Sequence, residues 1–256
     1  MNNRNVHYWT NKEERSEKAI SHTKEMEEHY SQEIAECVKN TKVYTPDSVF
    51  KDTEKVNQKV YITNLDSVSA VLKYNGNKKA VLNFASYKNP GGMFIKGSKA
   101  QEECLCHESF LYNVLKEETD YYNWNNQHKN KALYLNRALY SPDVIFVKDN
   151  KTTTCDVITC AAPNKIAAQN YQNITNEENT EVLKSRIEFI LNIARENKVD
   201  TIILGAYGCG VFGQQTEEVA EIFKNYLQKY KCFKTVVFAI PKDKFNHLDR
   251  FRKVFK

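Results

Sequence analysis

Apolar residues along the chain fall into two textures. Over Lys12–Asn40 they recur near helical spacing, at Ala19, Ile20, Met26, Tyr30, Ile34, Ala35 and Val38, in a segment otherwise rich in Glu, Lys and Ser. That pattern predicts one or two amphipathic helices, which either cap one side of the protein or pack an ordinary apolar stripe on its core. Beyond Pro46, short apolar runs bounded by polar turns take over at 60–63, 80–85, 132–135, 144–147 and 156–161, and each reads as a strand. Helical periodicity returns over 101–116 and over 181–197, where Val182, Ile187, Ile190, Leu191 and Ala194 share a face. The last third is the clearest unit: a strand at 201–204, a glycine loop, a helix at 217–227 and a strand at 235–240. A crossover of this kind makes its two strands parallel. The sequence therefore predicts an α/β protein, with an N-terminal helical extension over 1–50 and the alternating domain over 51–256.

Bulk properties leave that picture in place. A chain of 256 residues, 41% apolar, can bury a full core. The net charge of +5 and pI of about 8.6 suit acidic ligands such as phosphates. Lys and Arg are nevertheless scattered, without the concentrated stripe of a duplex-binding protein, so no duplex nucleic acid is expected as partner. No apolar run approaches membrane-spanning length, and no membrane partner is expected. Seven cysteines without a CxxC pair or a preceding apolar targeting segment read as reduced thiols of a cytoplasmic or nuclear, not secreted, protein. On that reading the acceptor pattern Asn173-Ile174-Thr175 is a chance match.

Two loops carry the candidate chemistry. The first, Asn89-Pro90-Gly91-Gly92-Met93, follows its own strand and leads into Gln101-Glu102-Glu103 at the start of a helix. A glycine-bared turn able to hold phosphate thus precedes paired carboxylates, which points to hydrolysis of a nucleotide-bearing substrate. The second, Gly205-Ala206-Tyr207-Gly208-Cys209-Gly210-Val211-Phe212-Gly213, leaves a strand and enters a helix, so its N–H groups form an anion seat. The literal GxGxxG from Gly208 to Gly213 raises a dinucleotide-binding reading, but the following strand carries no carboxylate placed for a ribose. Tight turns needing positive φ are the bland alternative for these glycines. Two such loops on one sheet edge could grip both sides of a diphosphate, with Tyr207 and Phe212 packing on a ribose or base or, equally, plugging the core.

Taken together, Asn83-Phe84-Ala85-Ser86, the Asn89-Pro90-Gly91-Gly92 turn, Gln101-Glu102-Glu103 and the 205–213 loop resemble the microbial-type poly(ADP-ribose) glycohydrolases, a branch of the macrodomain superfamily. The resemblance continues through Tyr140-Ser141-Pro142-Asp143-Val144 and the Val157-Ile158-Thr159 strand to Ala162-Pro163-Asn164, and it covers essentially all the chain after Pro46. It implies a macrodomain-like mixed, mostly parallel sheet between helices, with ADP-ribose in a cleft at the strand ends and no metal or cofactor. It makes 51–256 the catalytic domain and poly(ADP-ribose) or ADP-ribosylated macromolecules the partners, with ADP-ribose as product. By position it makes Glu103 the catalytic acid/base and Glu102 a ligand of the ribose hydroxyls in the catalytic pair. Gln101 would help fix the catalytic loop and Phe212 would order the reacting ribose. Asn83, Asn89, Gly91, Gly92, Gly205, Tyr207, Gly208, Cys209, Gly210 and Val211 complete the implied substrate-binding set.

The side chains suit that chemistry. Cleavage of the ribose C1″–oxygen bond passes through an oxocarbenium-like state, so the leaving oxygen needs a proton and the incoming water must lose one. One carboxyl can do both in turn, and Glu102 beside it would raise the pKa of Glu103 if both are buried. An acidic first helical turn is the bland reading of the pair. The chain departs from the pattern at Met93, where the family keeps a third glycine; a Cβ there would hinder binding if the position needs positive φ or bare backbone, and would be harmless if it points outward. That departure motivates a binding-only ADP-ribose reader as one alternative. A hydrolase of mono-ADP-ribose on protein or nucleic acid is the other.

Weaker candidates complete the reading. Cys104, Cys106 and His107 could suggest a soft metal, but no fourth ligand has recognisable spacing. Cys209 reads as a packing residue rather than a nucleophile. Asp66 and Asn64 would meet adenine or cap a helix. Trp124 with Tyr121 and Tyr122 is expected in a polar surface loop bordering the cleft.

Overall fold

The computed structural model describes residues 11–50 and 55–256. Helix α1 (Lys12–Asn40) starts at Asn11, whose side chain accepts from the Glu13 and Glu14 N–H groups, and bends at Tyr30 where the backbone leaves helical geometry (φ −133°, ψ 29°). It is one kinked helix. Ala19, Met26, Ile34 and Cys37 bury against one face of the sheet, so the stripe packs on the core, while Ile20 stays exposed.

The chain then lays down β1 (Lys42–Tyr44), β2 (Lys59–Thr63), α2 (Ser67–Lys73), β3 (Lys79–Phe84), α3 (Gln101–His107), α4 (Leu111–Leu115) and α5 (Thr119–Gln127). A hairpin of β4 (Ala138–Lys148) and β5 (Lys151–Cys160) follows, then α6 (Lys165–Gln172), α7 (Asn176–Glu196), β6 (Thr201–Leu204), α8 (Thr216–Tyr230), β7 (Thr235–Ala239) and α9 (His247–Val254). The seven strands are ordered β1-β4-β5-β3-β6-β7-β2. The pairings leave β4 running against the other six, so the sheet is mixed and mostly parallel.

Period-two alternation sends the central strands to two apolar layers. Leu82, Ile158, Ile202 and Phe238 face α7, α8 and α9. Val81, Val157, Ile203 and Val237 face α1 to α4. The expected parallel pairing of β6 and β7 is present. Helix α7 begins earlier than its periodicity suggested because Thr175 and Glu178 form a reciprocal capping box, at 3.1 and 2.8 Å.

Three expectations are corrected. Residues 132–135 form no strand: Asn130, Lys131, Ala132 and Tyr134 all have positive φ, between 43° and 65°, which a strand cannot hold. The helix expected over 101–116 is two, because Ser109 Oγ donates to the Leu105 carbonyl and accepts from Leu111 N–H (2.7 and 3.1 Å), ending one helix as the next begins. Tyr121, Tyr122 and Trp124 lie on helix α5 rather than in a loop, with both tyrosines buried, and Asn125 and Asn126 beside them tie the helix to the Tyr87 and Lys88 carbonyls.

Candidate active site

Neighbouring parallel strands β3 and β6 end side by side, and both glycine loops leave from that edge. Loop one runs from Ala85 to Ala100 as successive turns: Gly92 N–H donates to Asn89 O and Phe94 N–H to Gly91 O, both at 3.1 Å. Gly91 and Gly92 are left-handed, with φ of 61° and 62°. A Cβ on Gly92 would lie 2.6 Å from a Glu103 carboxylate oxygen and 2.9 Å from one of Glu102. Bare backbone therefore lets the loop close onto the acid pair.

Each carboxylate is fixed by its own donors. Glu103 accepts from Met93 N–H at 3.0 Å and from Ala100 N–H at 2.9 Å, tying its helix to the loop. Glu102 accepts from Ser86 N–H at 2.7 Å and from the Asn83 amide at 3.1 Å, and that amide also donates to Thr159 Oγ1. Gln101 holds the same turn: its oxygen accepts from Phe84 N–H, and its nitrogen donates to Leu82 O and Ser67 Oγ. Burial pushes Glu102 up to about 8, against the Ser86 and Asn83 hydrogen bonds and with added repulsion from Glu103. Glu102 and Glu103 are both buried, while Asn89 is exposed at the loop tip.

Met93 is absent from the left-handed region and is 40% exposed, while its N–H donates to Glu103. Behind the loop, Arg15 Nε donates to Gly97 O at 2.6 Å, and a Cβ on Gly97 would meet the Lys12 carbonyl at 2.1 Å. Helix α1 thus packs directly on loop one, a contact that no spacing in the sequence announces.

Loop two divides between core and cleft. Tyr207 is fully buried, donates to Cys160 O at 3.0 Å and packs edge-on against Phe84, so its ring is a core plug rather than a ligand-facing group. Cys209 is buried, and desolvation holds its thiol up at about 12, which suits packing rather than attack. Val211 is 83% exposed at the apex. Phe212 is half-buried and meets Tyr134, which stacks on Tyr87 at 4.2 Å; the two tyrosines build a wall behind Phe212 that the strand assignment of 132–135 had hidden. Gly205 fits under Phe84 and the Ala239 carbonyl, and Gly208 (φ 74°) fits against Ala162. Gly210 faces open space.

On the other flank lies a mostly apolar cleft of about 300 Å³, lined by Phe84, Gln101, Ala206, Ile240, Pro241 and, at its rim, Asp66. Asp66 does cap a helix, accepting from Ser69 N–H at 2.8 Å, and also borders this cleft. Cys106 is buried and His107 packs edge-on against Phe94, with burial lowering the imidazole to about 4.

A family model, the catalytic domain of the microbial-type PARG, matches residues 12–149, more than half of the chain. The chain belongs to this family. Its fold agrees with the crystal structure of the poly(ADP-ribose) glycohydrolase (PARG) from Thermomonospora curvata, at 27% identity and a TM-score of 0.86, over 95% of this chain and 100% of that one. The same enzyme bound to the inhibitor ADP-HPD matches with a TM-score of 0.82 over 94% of this chain and 99% of that one, again at 27% identity. The PARG from Deinococcus radiodurans in complex with ADP-ribose is 29% identical, covering 88% of this chain and 97% of that one with a TM-score of 0.77. No curated protein sequence matches. The matched segment of the PARG family spans α1, loop one and the Gln101-Glu102-Glu103 turn, so the N-terminal helix falls within the family region.

Proposed function

We propose that this chain hydrolyses the ribose–ribose O-glycosidic bonds of poly(ADP-ribose) and releases ADP-ribose, with Glu103 as general acid and then general base. The observation that carries the reading is the closure of loop one on the acid pair: Gly92 leaves no side chain between the loop and the two carboxylates. Family membership and the likeness to PARG structures holding ADP-ribose or an inhibitor support the same substrate.

The bound unit spans the sheet edge. Its adenosine end enters the apolar cleft between Phe84 and Pro241, where Asp66 at the rim can accept from the base. Its diphosphate crosses loop one and the Gly210 backbone of loop two, where N–H groups meet negative charge without interference from a Cβ. Its far ribose lies against Phe212 beside Glu102, whose carboxyl engages the ribose hydroxyls.

Glu103 then protonates the departing 2′-oxygen of the adjoining unit as the C1″–oxygen bond breaks. The diphosphate and the loop dipoles steady the oxocarbenium charge, and the resulting Glu103 carboxylate takes a proton from water as its oxygen joins C1″. Met93 N–H and Ala100 N–H hold Glu103 in place through both steps. The outward Met93 side chain withdraws support from a binding-only reading. Seven thiols, none paired with another, support a reducing site of action in cytoplasm or nucleus.

The test compares native protein with Glu103→Gln on poly(ADP-ribose), measuring released ADP-ribose and ADP-ribose affinity. Turnover should fall about 10²–10⁴-fold while binding persists, the range for loss of a general acid/base. Equal release by both proteins would remove Glu103 from the chemistry. Binding without release by either would leave a reader or a mono-ADP-ribosyl hydrolase.

A further inference from the structure

The charges beside the catalytic edge are distributed unevenly. From Phe84 to Ala100 and from Tyr121 to Pro142 the sequence has no Asp or Glu, yet it has Lys88, Lys96, Lys99, Lys129, Lys131 and Arg137. These stretches meet in space. Asn125 Nδ2 donates to Tyr87 O and Asn126 Nδ2 to Lys88 O, at 3.0 and 3.1 Å, while Tyr87 Oη donates to His128 O at 3.1 Å. One residue earlier, Ser86 N–H holds Glu102. The basic flank therefore adjoins the acid pair.

It also carries a stacking surface. Trp124 and His128 lie face to face, with centroids 3.8 Å apart and planes 11° from parallel, and the Arg137 guanidinium sits 4.1 Å from the indole centroid. His128 is exposed, and its Nδ1 bonds the Trp124 carbonyl at 2.7 Å, so the ring is fixed before any ligand arrives. Lys129 and Lys131 follow on the left-handed turn, which Asn164 N–H pins through Ala132 O and Asn130 pins through Tyr134 O, both at 3.0 Å. Lys88, Lys129 and Lys131 are exposed, and none makes an ion pair among the described residues.

On the binding path proposed above, the scissile bond lies at the Phe212 end, and Phe212 meets Tyr134 of this flank. We infer that the flank is a second nucleotide subsite: His128, backed by Trp124, stacks the adenine, and Lys88, Lys129 and Lys131 hold the diphosphate, of the ADP-ribose unit on the leaving side of the bond. The inference rests on the glycohydrolase reading above. A polyanion with a base at every repeat is the ligand that such a pairing of stacked ring and unpaired lysines fits. The subsite makes polymer a better substrate than a single ADP-ribose on protein, which presents no second base.

The test uses His128→Ala and the double variant Lys129→Glu/Lys131→Glu, with melting curves to verify folding. Two substrates are compared: poly(ADP-ribose), and an ADP-ribosyl glycoside whose leaving group is a simple aryl alcohol. For polymer, KM should rise about 3–10-fold in His128→Ala, the loss of one stacked base, and tenfold or more in the charge reversal, with a shallower salt dependence. The kcat, the aryl substrate and ADP-ribose affinity should stay unchanged. Equal changes for both substrates, or none for polymer, would overturn the subsite. Should the native chain release nothing from polymer, the glycohydrolase reading fails first; the subsite then stands if a linked ADP-ribose dimer binds tighter than ADP-ribose and Lys129→Glu/Lys131→Glu abolishes the excess, and falls if there is no excess.

Discussion

The two glycine loops share a sheet edge and a residue type, but they need their glycines for different reasons. In loop one it is Gly92 whose missing side chain faces chemistry, against both carboxylates, while Gly91 packs on Tyr112 and Gly97 on the Lys12 carbonyl. In loop two the glycines mostly face the protein itself, since Gly208 packs on Ala162 and Gln214, Gly213 on Ile166, and Gly205 under Phe84. Gly210 is the exception: a Cβ there would meet nothing within 4 Å, and its φ is not positive. A glycine that the fold does not require is the stronger pointer to a ligand, and in the GxGxxG pattern it is the middle one. The outer two serve turns at φ of 74° and 72°.

Gly92→Ala breaks the comparison most severely. Its Cβ would force both carboxylates off their donors, and a shift of this size at the reacting group costs about 10²-fold in turnover. Measured kcat on poly(ADP-ribose) should fall by at least that much, with the fold intact by circular dichroism. A variant retaining most of its turnover would show that the acid pair tolerates a looser loop than the contacts imply.

The pH dependence of stability examines the same pair from the other side. Glu102 titrates near 8 in the folded chain because it is buried, against 4.5 for the free side chain. Between these values the unfolded chain holds fewer protons than the folded one, so Glu102 withdraws stability as pH rises, by at most about 1.4 kcal/mol per pH unit. Denaturant titrations from pH 5 to 8 should show that slope in native protein and its loss in Glu102→Gln. An identical slope in both would place the titration elsewhere.

For loop two, the expected effects separate by position. Gly208→Ala must adopt positive φ and press on Ala162, which costs about 1–3 kcal/mol of stability. Gly210→Ala should leave the melting temperature unchanged and weaken ADP-ribose about tenfold, the worth of one charge-assisted backbone contact. Calorimetry and melting curves on the pair read both quantities. Should Gly210→Ala bind normally, the diphosphate path over loop two is wrong.

How legible these features were in the sequence follows from the range of the forces involved. The βαβ unit of β6, α8 and β7 was plain because period-two and helical patterns are local, and the Asp66 cap, a contact three residues long, was one of the two readings open for that residue. The Gln101-Glu102-Glu103 turn and both loops were legible as a constellation. What stayed hidden is held by distant partners. Strand β1 is three residues whose pairing with β4 comes from almost a hundred positions away, and the 130–134 turn looks apolar because Leu133 and Tyr134 bury against other elements. Tyr207 looked like a ring for the ligand because position in a loop says nothing about which way a side chain turns. Arg15 on Gly97 is likewise 82 residues removed, and nothing near either residue marks it.

The smallest effect is expected at Met93, where the family resemblance raised the sharpest doubt. The position contributes an N–H to Glu103, not a bare Cα, and its side chain is directed to solvent at a residue outside the left-handed region. Met93→Gly keeps that N–H and removes a group that touches neither carboxylate, so polymer turnover should stay within about twofold, well under the 1.4 kcal/mol that a tenfold change represents. Added chain entropy in the unfolded state should lower stability by about 0.5–1 kcal/mol. A rise in turnover of tenfold or more would mean that the thioether turns inward when substrate binds.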